Sequence, residues 1–339
     1  MKLLIDGRIL SHEHITGVER YTRSLINSFE TLGLRHDIYA PPTKNKYMQH
    51  LWEHTALPRA ARKYDILFCP ANMSPLWKPH GCKFVLTIHD ISFLLFPDAY
   101  HPLYRNYYGR ATARVISIAN RIITDSYSEK AMLSKYFPEH LNKITVIHCG
   151  IDTRFFVQPD SQNNDSKEKY ILYVGTLNSR KNFSGIINAF IRICDRVPHT
   201  LLIAGARQPI YPCGNNIENK RIRYLGFVDD GALPALYRNA SLFVFPSFYE
   251  GFGFPPLEAM ACGCPVIASN TSSLPEICGD AARLVDPRNT EEIANAMLEV
   301  LRNQALQNSM IEAGFKRASQ FTWENTAKAT IKVFEEVTQ

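Results

Sequence analysis

At 339 residues, with 45% hydrophobic and 21% charged side chains, the chain exceeds the size at which one core keeps growing. Its composition is that of ordinary globular proteins, so two compact domains of about 150 residues are expected, and collagen, coiled coil and disorder are excluded. The net charge of +6 is uneven: residues 1–150 carry 19 Lys and Arg against 12 Asp and Glu, residues 151–339 carry 19 against 20.

In chain order, short apolar runs at 2–5, 36–40, 66–69, 84–88, 121–124 and 144–147 read as strands, with helical patterns at 18–32 and 104–118 between them. That alternation predicts a doubly wound α/β domain. The polar stretch 158–169 reads as a linker. Strands then resume at 170–174, 200–204, 222–225, 242–245, 265–268 and 282–285, with helices between. Asn289 and Glu292 have the spacing of a capping box opening a helix to about Arg302, and helical patterns follow at 304–318 and 323–337. The expected domains are 1–157, joined by the last helix at 323–339, and 170–322. Ligands of such sheets bind outside the carboxyl ends of the strands, so a cleft where those ends face each other is the expected site.

The N-terminus meets Asp6 before a long apolar core develops, and the uncharged stretch 259–275 is broken by Gly263, Pro265 and Asn270. Neither reads as a signal peptide or a spanning helix, which predicts a cytoplasmic protein. The eight cysteines form no CxxC pair and read as reduced thiols, neither a disulfide frame nor a zinc site. Between Asp98 and Asp125 no acid occurs, while Arg105, Arg110, Arg114 and Arg121 stand among Tyr104, Tyr107 and Tyr108. Basic and aromatic side chains together suit an anionic membrane surface or a phosphorylated partner; a solvated helix face is the rival reading.

The segment 245–269, FPSFYEGFGFPPLEAMACGCPVIAS, carries the most chemistry. A strand leads to Glu250, then Gly251 and Gly253, then Pro255 and Pro256 at a helix start, then Glu258. Glycines admit close backbone approach and prolines suit the first helical turn, so the helix start is an anion site suited to a diphosphate. Glu250 lies in the loop, within reach of a bound sugar; Glu258 lies a turn into the helix, placed to accept from vicinal hydroxyls.

Glu250 and Glu258 in this setting, with VGTLNSRKN at 174–182, resemble the donor-binding half of retaining glycosyltransferases of family 4, which have the GT-B fold: two Rossmann-like domains facing across a cleft. GVERY at 17–21, TIHD at 87–90, TDSYSEK at 124–130, VIHCGID at 146–152, LGFVDD at 225–230 and LPEICGDAARLVDP at 274–287 extend the resemblance over the chain. It implies that Glu250 contacts the donor sugar and Glu258 the ribose, that Arg180 and Lys181 neutralise the diphosphate, and that amides around Phe252, Gly253 and Phe254 bind sugar and phosphates. It further implies that Gly17 lets its loop approach the phosphates, that His89 faces the reacting sugar, and that Phe227 and Val228 border the base. Thr176 stands where many members carry Arg, and Arg180 is expected to take over part of that charge.

The implied reaction is departure of a nucleoside diphosphate from an anomeric carbon, with Arg180, Lys181 and the helix start stabilising the leaving group without proton transfer. No metal or other cofactor is expected, and none of the fourteen aspartates forms an Asp-x-Asp motif. Likeness to bacterial O-antigen mannosyltransferases implies mannose from GDP-mannose first, rhamnose from dTDP-rhamnose next. The implied acceptor is a lipid-linked glycan at the inner leaflet, with Arg105, Tyr108, Arg110 and Arg114 on the acceptor or membrane face. Sugar-nucleotide epimerases, phosphorylases and a non-catalytic nucleotide-sugar-binding assembly protein share the outline. A nicotinamide enzyme is disfavoured, since no strand is followed by GxGxxG, and so is a nucleic-acid binder, since no compact basic helix or RNA-binding aromatic motif occurs.

Overall fold

The computed structural model describes residues 1–11, 17–156, 168–205 and 219–339; most of the expected linker 158–169 lies outside the described residues. The chain forms two compact units. One comprises Met1–Leu95, Pro102–Gly150 and Phe321–Gln339, the other Phe96–His101 and Ile151–Gln320.

The first unit is built on β1 (Leu3–Asp6), β2 (His36–Tyr39), β3 (Ile66–Cys69), β4 (Lys83–Ile88), β5 (Arg121–Thr124) and β6 (Ile144–Val146), with α1 (Gly17–Thr31), α2 (Lys46–Ala61), α3 (Ser92–Leu95), α4 (Pro102–Ile118) and α5 (Tyr127–Tyr136) between strands. The strand order is β2-β1-β3-β4-β5-β6 and every pairing is parallel. All residues of β1 and β3 are buried, the condition under which a strand reads as a continuous apolar run.

The second unit contains β7 (Tyr170–Val174), α6 (Phe183–Ile193), β8 (Thr200–Ala204), β9 (Ile222–Gly226), α7 (Leu233–Arg238), β10 (Leu242–Phe245), α8 (Phe254–Ala261), β11 (Val266–Ser269), α9 (Leu274–Cys278), β12 (Ala282–Val285), α10 (Thr290–Arg302) and α11 (Gln304–Ala318). Its sheet is also all parallel, in the order β12-β11-β10-β7-β8-β9. Asn289 caps α10 as expected, its Oδ1 accepting from the Glu292 amide at 3.1 Å.

The last helix, α12 (Trp323–Thr338), returns to the first unit. Its Phe334 ring, fully buried, lies 5.9 Å from Phe29 and 5.2 Å from Phe68, and burial of such a ring stabilises by about 1.5–3 kcal/mol. Gly150 admits this docking: a Cβ there would lie 2.2 Å from the Trp323 nitrogen.

In each sheet the chain reverses direction at one point, between β1 and β3 in the first unit and between β7 and β10 in the second. Loops leaving the carboxyl ends of those strands part there, and ligands settle in the resulting crevice. In the second unit the two loops are those carrying Lys181 and Glu250. Among the described residues, no helix is long and apolar enough to cross a membrane.

Candidate active site

In the second unit, β7 ends at Gly175, which sits against Gly205 at the end of β8. A Cβ on Gly205 would lie 1.9 Å from the Gly175 carbonyl oxygen, so the two strand ends meet backbone to backbone. The loop then turns through Asn178, whose Oδ1 accepts from the Lys181 amide at 2.9 Å. Asn182, left-handed at φ 53°, opens α6 and donates its side-chain amide to the Pro287 carbonyl at 2.6 Å.

This turn delivers Lys181 onto Glu250: Lys181 Nζ lies 2.5 Å from Oε1 and 2.6 Å from Oε2. Ser247 Oγ donates to Oε1 at 2.6 Å, and an Arg180 guanidinium nitrogen stands 3.6 Å from Oε2. All three charged side chains are largely buried, 9–13% exposed. Lys181 Nζ also lies 5.3 Å over the Phe245 ring, a favourable cation–π placement. Arg180 donates to the Tyr249 carbonyl at 2.8 Å. The Glu250 backbone is pinned on both sides, its amide donating to Ser272 Oγ and its carbonyl accepting from Ser273 Oγ, each at 3.0 Å. Beneath, burial and then the Glu250 charge push the Tyr173 hydroxyl well above its ordinary pKa.

Gly253, at φ 119°, precedes α8. Pro255 and Pro256 occupy the first turn of α8, where their missing N–H groups cost the helix nothing. Phe252 is buried and its ring meets Phe254 edge-on at 5.1 Å. Glu258, 2% exposed, accepts from the Tyr237 hydroxyl at 3.0 Å, so a ribose would share that carboxylate with a tyrosine. Phe227 is 58% exposed and Val228 half-buried after β9. Thr176 uses its backbone oxygen to accept from Tyr173 Oη at 3.2 Å.

In the first unit, His89 leaves the carboxyl end of β4. Its Nδ1 lies 2.7 Å from Asp125 Oδ2, its Nε2 2.8 Å from the Pro70 carbonyl, and its amide donates to Asn72 Oδ1 at 2.6 Å. Burial opposes protonation of this ring, and the Asp125 carboxylate more than offsets that, so its pKa is raised. Both ring nitrogens face protein acceptors, Asp125 Oδ2 and the Pro70 carbonyl, so the ring is tied to its own unit on both sides. Gly17 is the exposed first residue of α1, and the loop before it, 12–16, lies outside the described residues.

On α4, Tyr108 is half-buried and stacks on Tyr104 at 4.1 Å, since 104, 108, 111, 112 and 115 share one side of a 3.6-residue period. Tyr107 and Leu103, 40% and 75% exposed, take the outer side with Arg110 and Arg114, while Arg105 is half-buried.

Sequence reasoning missed Ser247, Ser272, Ser273 and Asp125. Ser247 and Asp125 stand inside motifs already noticed, and Ser272 and Ser273 fall between two of them, but nothing local marks which hydroxyl or carboxylate reaches which partner.

Comparison with known proteins decides the family. The profile of Glycosyltransferase Family 4 matches residues 15–155, and that of Glycosyl transferases group 1 matches residues 155–317. O-antigen chain mannosyltransferase B of Escherichia coli is 33% identical over 273 residues, covering 76% of this chain and 71% of that protein. The chain belongs to glycosyltransferase family 4. It is also 29% identical over 291 residues to the serotype-specific mannosyltransferase WbdA of Escherichia coli, covering 80% of this chain but only 35% of that longer protein. Among solved structures, sucrose-phosphate synthase from Thermosynechococcus elongatus superposes with a TM-score of 0.75 at 19% identity over 99% of this chain and 98% of that one, which establishes a two-domain GT-B fold. This family-4 enzyme is thus a hexosyltransferase, as the two-glutamate segment implied.

Proposed function

We propose that the enzyme transfers mannose, with retention, from GDP-mannose to a lipid-linked glycan during bacterial O-antigen synthesis, working at the cytoplasmic face of the inner membrane. The observation that carries the sugar and the pathway is the 33% identity to an O-antigen mannosyltransferase over most of both chains. Chemically, departure of a nucleoside diphosphate leaves positive charge on the sugar ring and negative charge on phosphate. Arg180 and Lys181 meet the phosphate charge, with the amides at Gly253 and Phe254 beside them. Glu250 holds Lys181 in place and turns its remaining acceptor capacity to sugar hydroxyls, and Glu258 with Tyr237 takes the ribose. These fixed charges are oriented before the substrate arrives, so little reorganisation accompanies the transition state. With two side-chain cations on the leaving group, the reaction needs no metal. Phe227 and Val228 border the base, and His89 is the first unit's proposed contribution.

For the membrane, support comes from Leu103 and Tyr107 exposed on α4 beside Arg110 and Arg114, with Tyr47, Leu51 and Trp77 also exposed in the same unit. Apolar and aromatic side chains enter the headgroup region while cations attract anionic lipid. Vesicles with anionic lipid should retain the enzyme and neutral vesicles should not; equal retention refutes the assignment.

The donor is tested by thermal shift with GDP-, UDP-, dTDP- and ADP-sugars, with and without magnesium. A ligand at 100 times its Kd stabilises by about 2.7 kcal/mol. A magnesium-independent shift with GDP-mannose alone, followed by mannosylated product of retained configuration, is expected. A shift confined to dTDP-rhamnose replaces mannose by rhamnose, and a shift with none refutes the donor site.

A further inference from the structure

At the carboxyl end of β1 the first unit holds a second group of ionisable side chains. Helix α2 carries His50, Glu53 and His54, at positions i, i+3 and i+4, which fall on one helix face. One ligand atom from each lies within 4.8 Å of the others. Glu53 is fully buried, and neither of its oxygens has a hydrogen-bond donor. Oε2 stands 3.5 Å from His50 Nδ1, and Oε1 stands 3.2 Å from Arg8 Nε. Asp6 is buried beside them, its Oδ1 accepting from the Arg8 amide at 2.9 Å. Glu53 meets the Arg8 side chain and Asp6 the Arg8 backbone amide, so two buried carboxylates stand beside one guanidinium and the cluster has room for a further positive charge.

From these contacts we propose that His50, Glu53 and His54 form a binding site for one divalent transition-metal ion of the zinc type. The donor set of two imidazoles and one carboxylate matches the preference of such ions, and leaves a position for water. The ring of His54 is already oriented. Its Nε2 faces the Tyr107 hydroxyl on α4 at 3.2 Å, and its Nδ1 is buried with no partner. With Nε2–H donating to Tyr107, Nδ1 presents its lone pair, the arrangement by which outer partners fix a metal-binding tautomer. Tyr107 also meets the His50 ring edge-on at 5.9 Å, so it steadies both imidazoles. Zinc bonds of about 2.0–2.2 Å require the three donors to draw closer than they now stand. The two histidines are half-exposed, so their rings have the freedom to close on the ion and give it a path from solvent. Arg8 keeps one oxygen of Glu53 and leaves the other for the metal. Bound there, the ion ties α2 to α4 through Tyr107.

The test uses the full chain, stripped with chelator and titrated with Zn²⁺ by calorimetry, with Co²⁺ as the optical probe. The expected result is one ion per chain, a higher melting temperature with Zn²⁺, and cobalt bands of a low-symmetry nitrogen–oxygen site. His50→Ala and His54→Ala should each lose that stoichiometric site while keeping the apo circular dichroism spectrum. Tyr107→Phe, which keeps the ring and removes only the hydroxyl, should weaken binding by about 10–100-fold. Wild-type uptake no greater than that of the double histidine variant, or equal affinity in wild type and variants, overturns the proposal.

Discussion

Removing the Lys181 ammonium separates what the Lys181–Glu250 pair does for stability from what it does for transfer. Lys181→Met keeps the length of the stem and leaves Glu250, 9% exposed, without its nearest cation. Breaking a buried pair costs about 3–5 kcal/mol, because the surviving charge is stranded. Ser247 still donates at 2.6 Å and Arg180 still stands 3.6 Å away, so the lower end, about 3 kcal/mol, is expected. For a domain of this size that lowers the melting temperature by roughly 6–12 °C. Glu250→Gln should cost less, about 2 kcal/mol, since the amide still accepts from Lys181 and Ser247. The double variant removes both charges, and its destabilisation should fall short of the sum of the singles by about 2 kcal/mol. Transfer behaves differently. Loss of one positioned charge at a leaving group lowers turnover by about 10²–10³-fold, and the double variant should recover none of it. Calorimetric melts of the four proteins, paired with product formation at saturating donor, read both quantities. Additive stabilities within about 0.5 kcal/mol, or turnover restored together with stability, would refute the reasoning.

Two further outcomes follow from charges held in each unit. Asp125→Asn removes the carboxylate that raises the His89 pKa, so the ring should titrate at lower pH; an unchanged His89 proton titration by NMR would show that Asp125 is not its source. His199, buried in the second unit, has its pKa pushed down to about 4 by burial, then by Lys169 and Arg221. Its folded pKa lies below the ordinary histidine value near 6.5, so the unfolded chain takes up the proton first as pH falls. Stability is therefore full above about pH 6.5 and declines towards about pH 4, and His199→Gln should flatten that slope in urea titrations. An unaltered slope would exclude His199 as the acid-sensitive group.

Much of the architecture could be read from the chain because most of its strands are buried on both faces. The runs at 66–69, 121–124, 170–174, 200–204, 242–245 and 282–285 coincide with β3, β5, β7, β8, β10 and β12. Helix α2 escaped notice for the converse reason. Its buried face includes Gln49 and Glu53, and Pro58 lies inside it, so no apolar stripe marks its period. The same polar face makes the histidine–glutamate cluster, whose companions Asp6, Arg8 and Tyr107 come from β1, the turn after it and α4. Glu250 and Glu258 were visible because a glycine–proline pattern frames them, and Lys181 because it follows the first strand of the second domain. The hydroxyls that hold Glu250 were not: Ser247 reaches it from three residues earlier in the same loop, with nothing in the sequence to mark the contact, and Ser272 and Ser273 reach it only once β10 and β11 lie side by side. Tyr108 shows the limit of charge counting: a basic, tyrosine-rich stretch was recognised, but which tyrosine faces solvent is decided by the helical period.

The uneven charge of the chain has a consequence for how the two proposed ligands respond to salt. The donor half has one more acid than base, so it does not attract a diphosphate by net charge. It concentrates Arg180 and Lys181 at the switch point, 11% and 13% exposed, where mobile ions screen poorly. The excess of the first half is spread over exposed side chains such as Arg110 and Arg114, and at 0.1 M salt the screening length is about 10 Å. Raising salt to about 0.5 M should therefore release the enzyme from anionic vesicles while leaving most of the donor-induced thermal shift in place. If the donor shift collapses in parallel with vesicle binding, the diphosphate is held by diffuse surface charge, and the buried Arg180–Lys181–Glu250 arrangement is not its binding site.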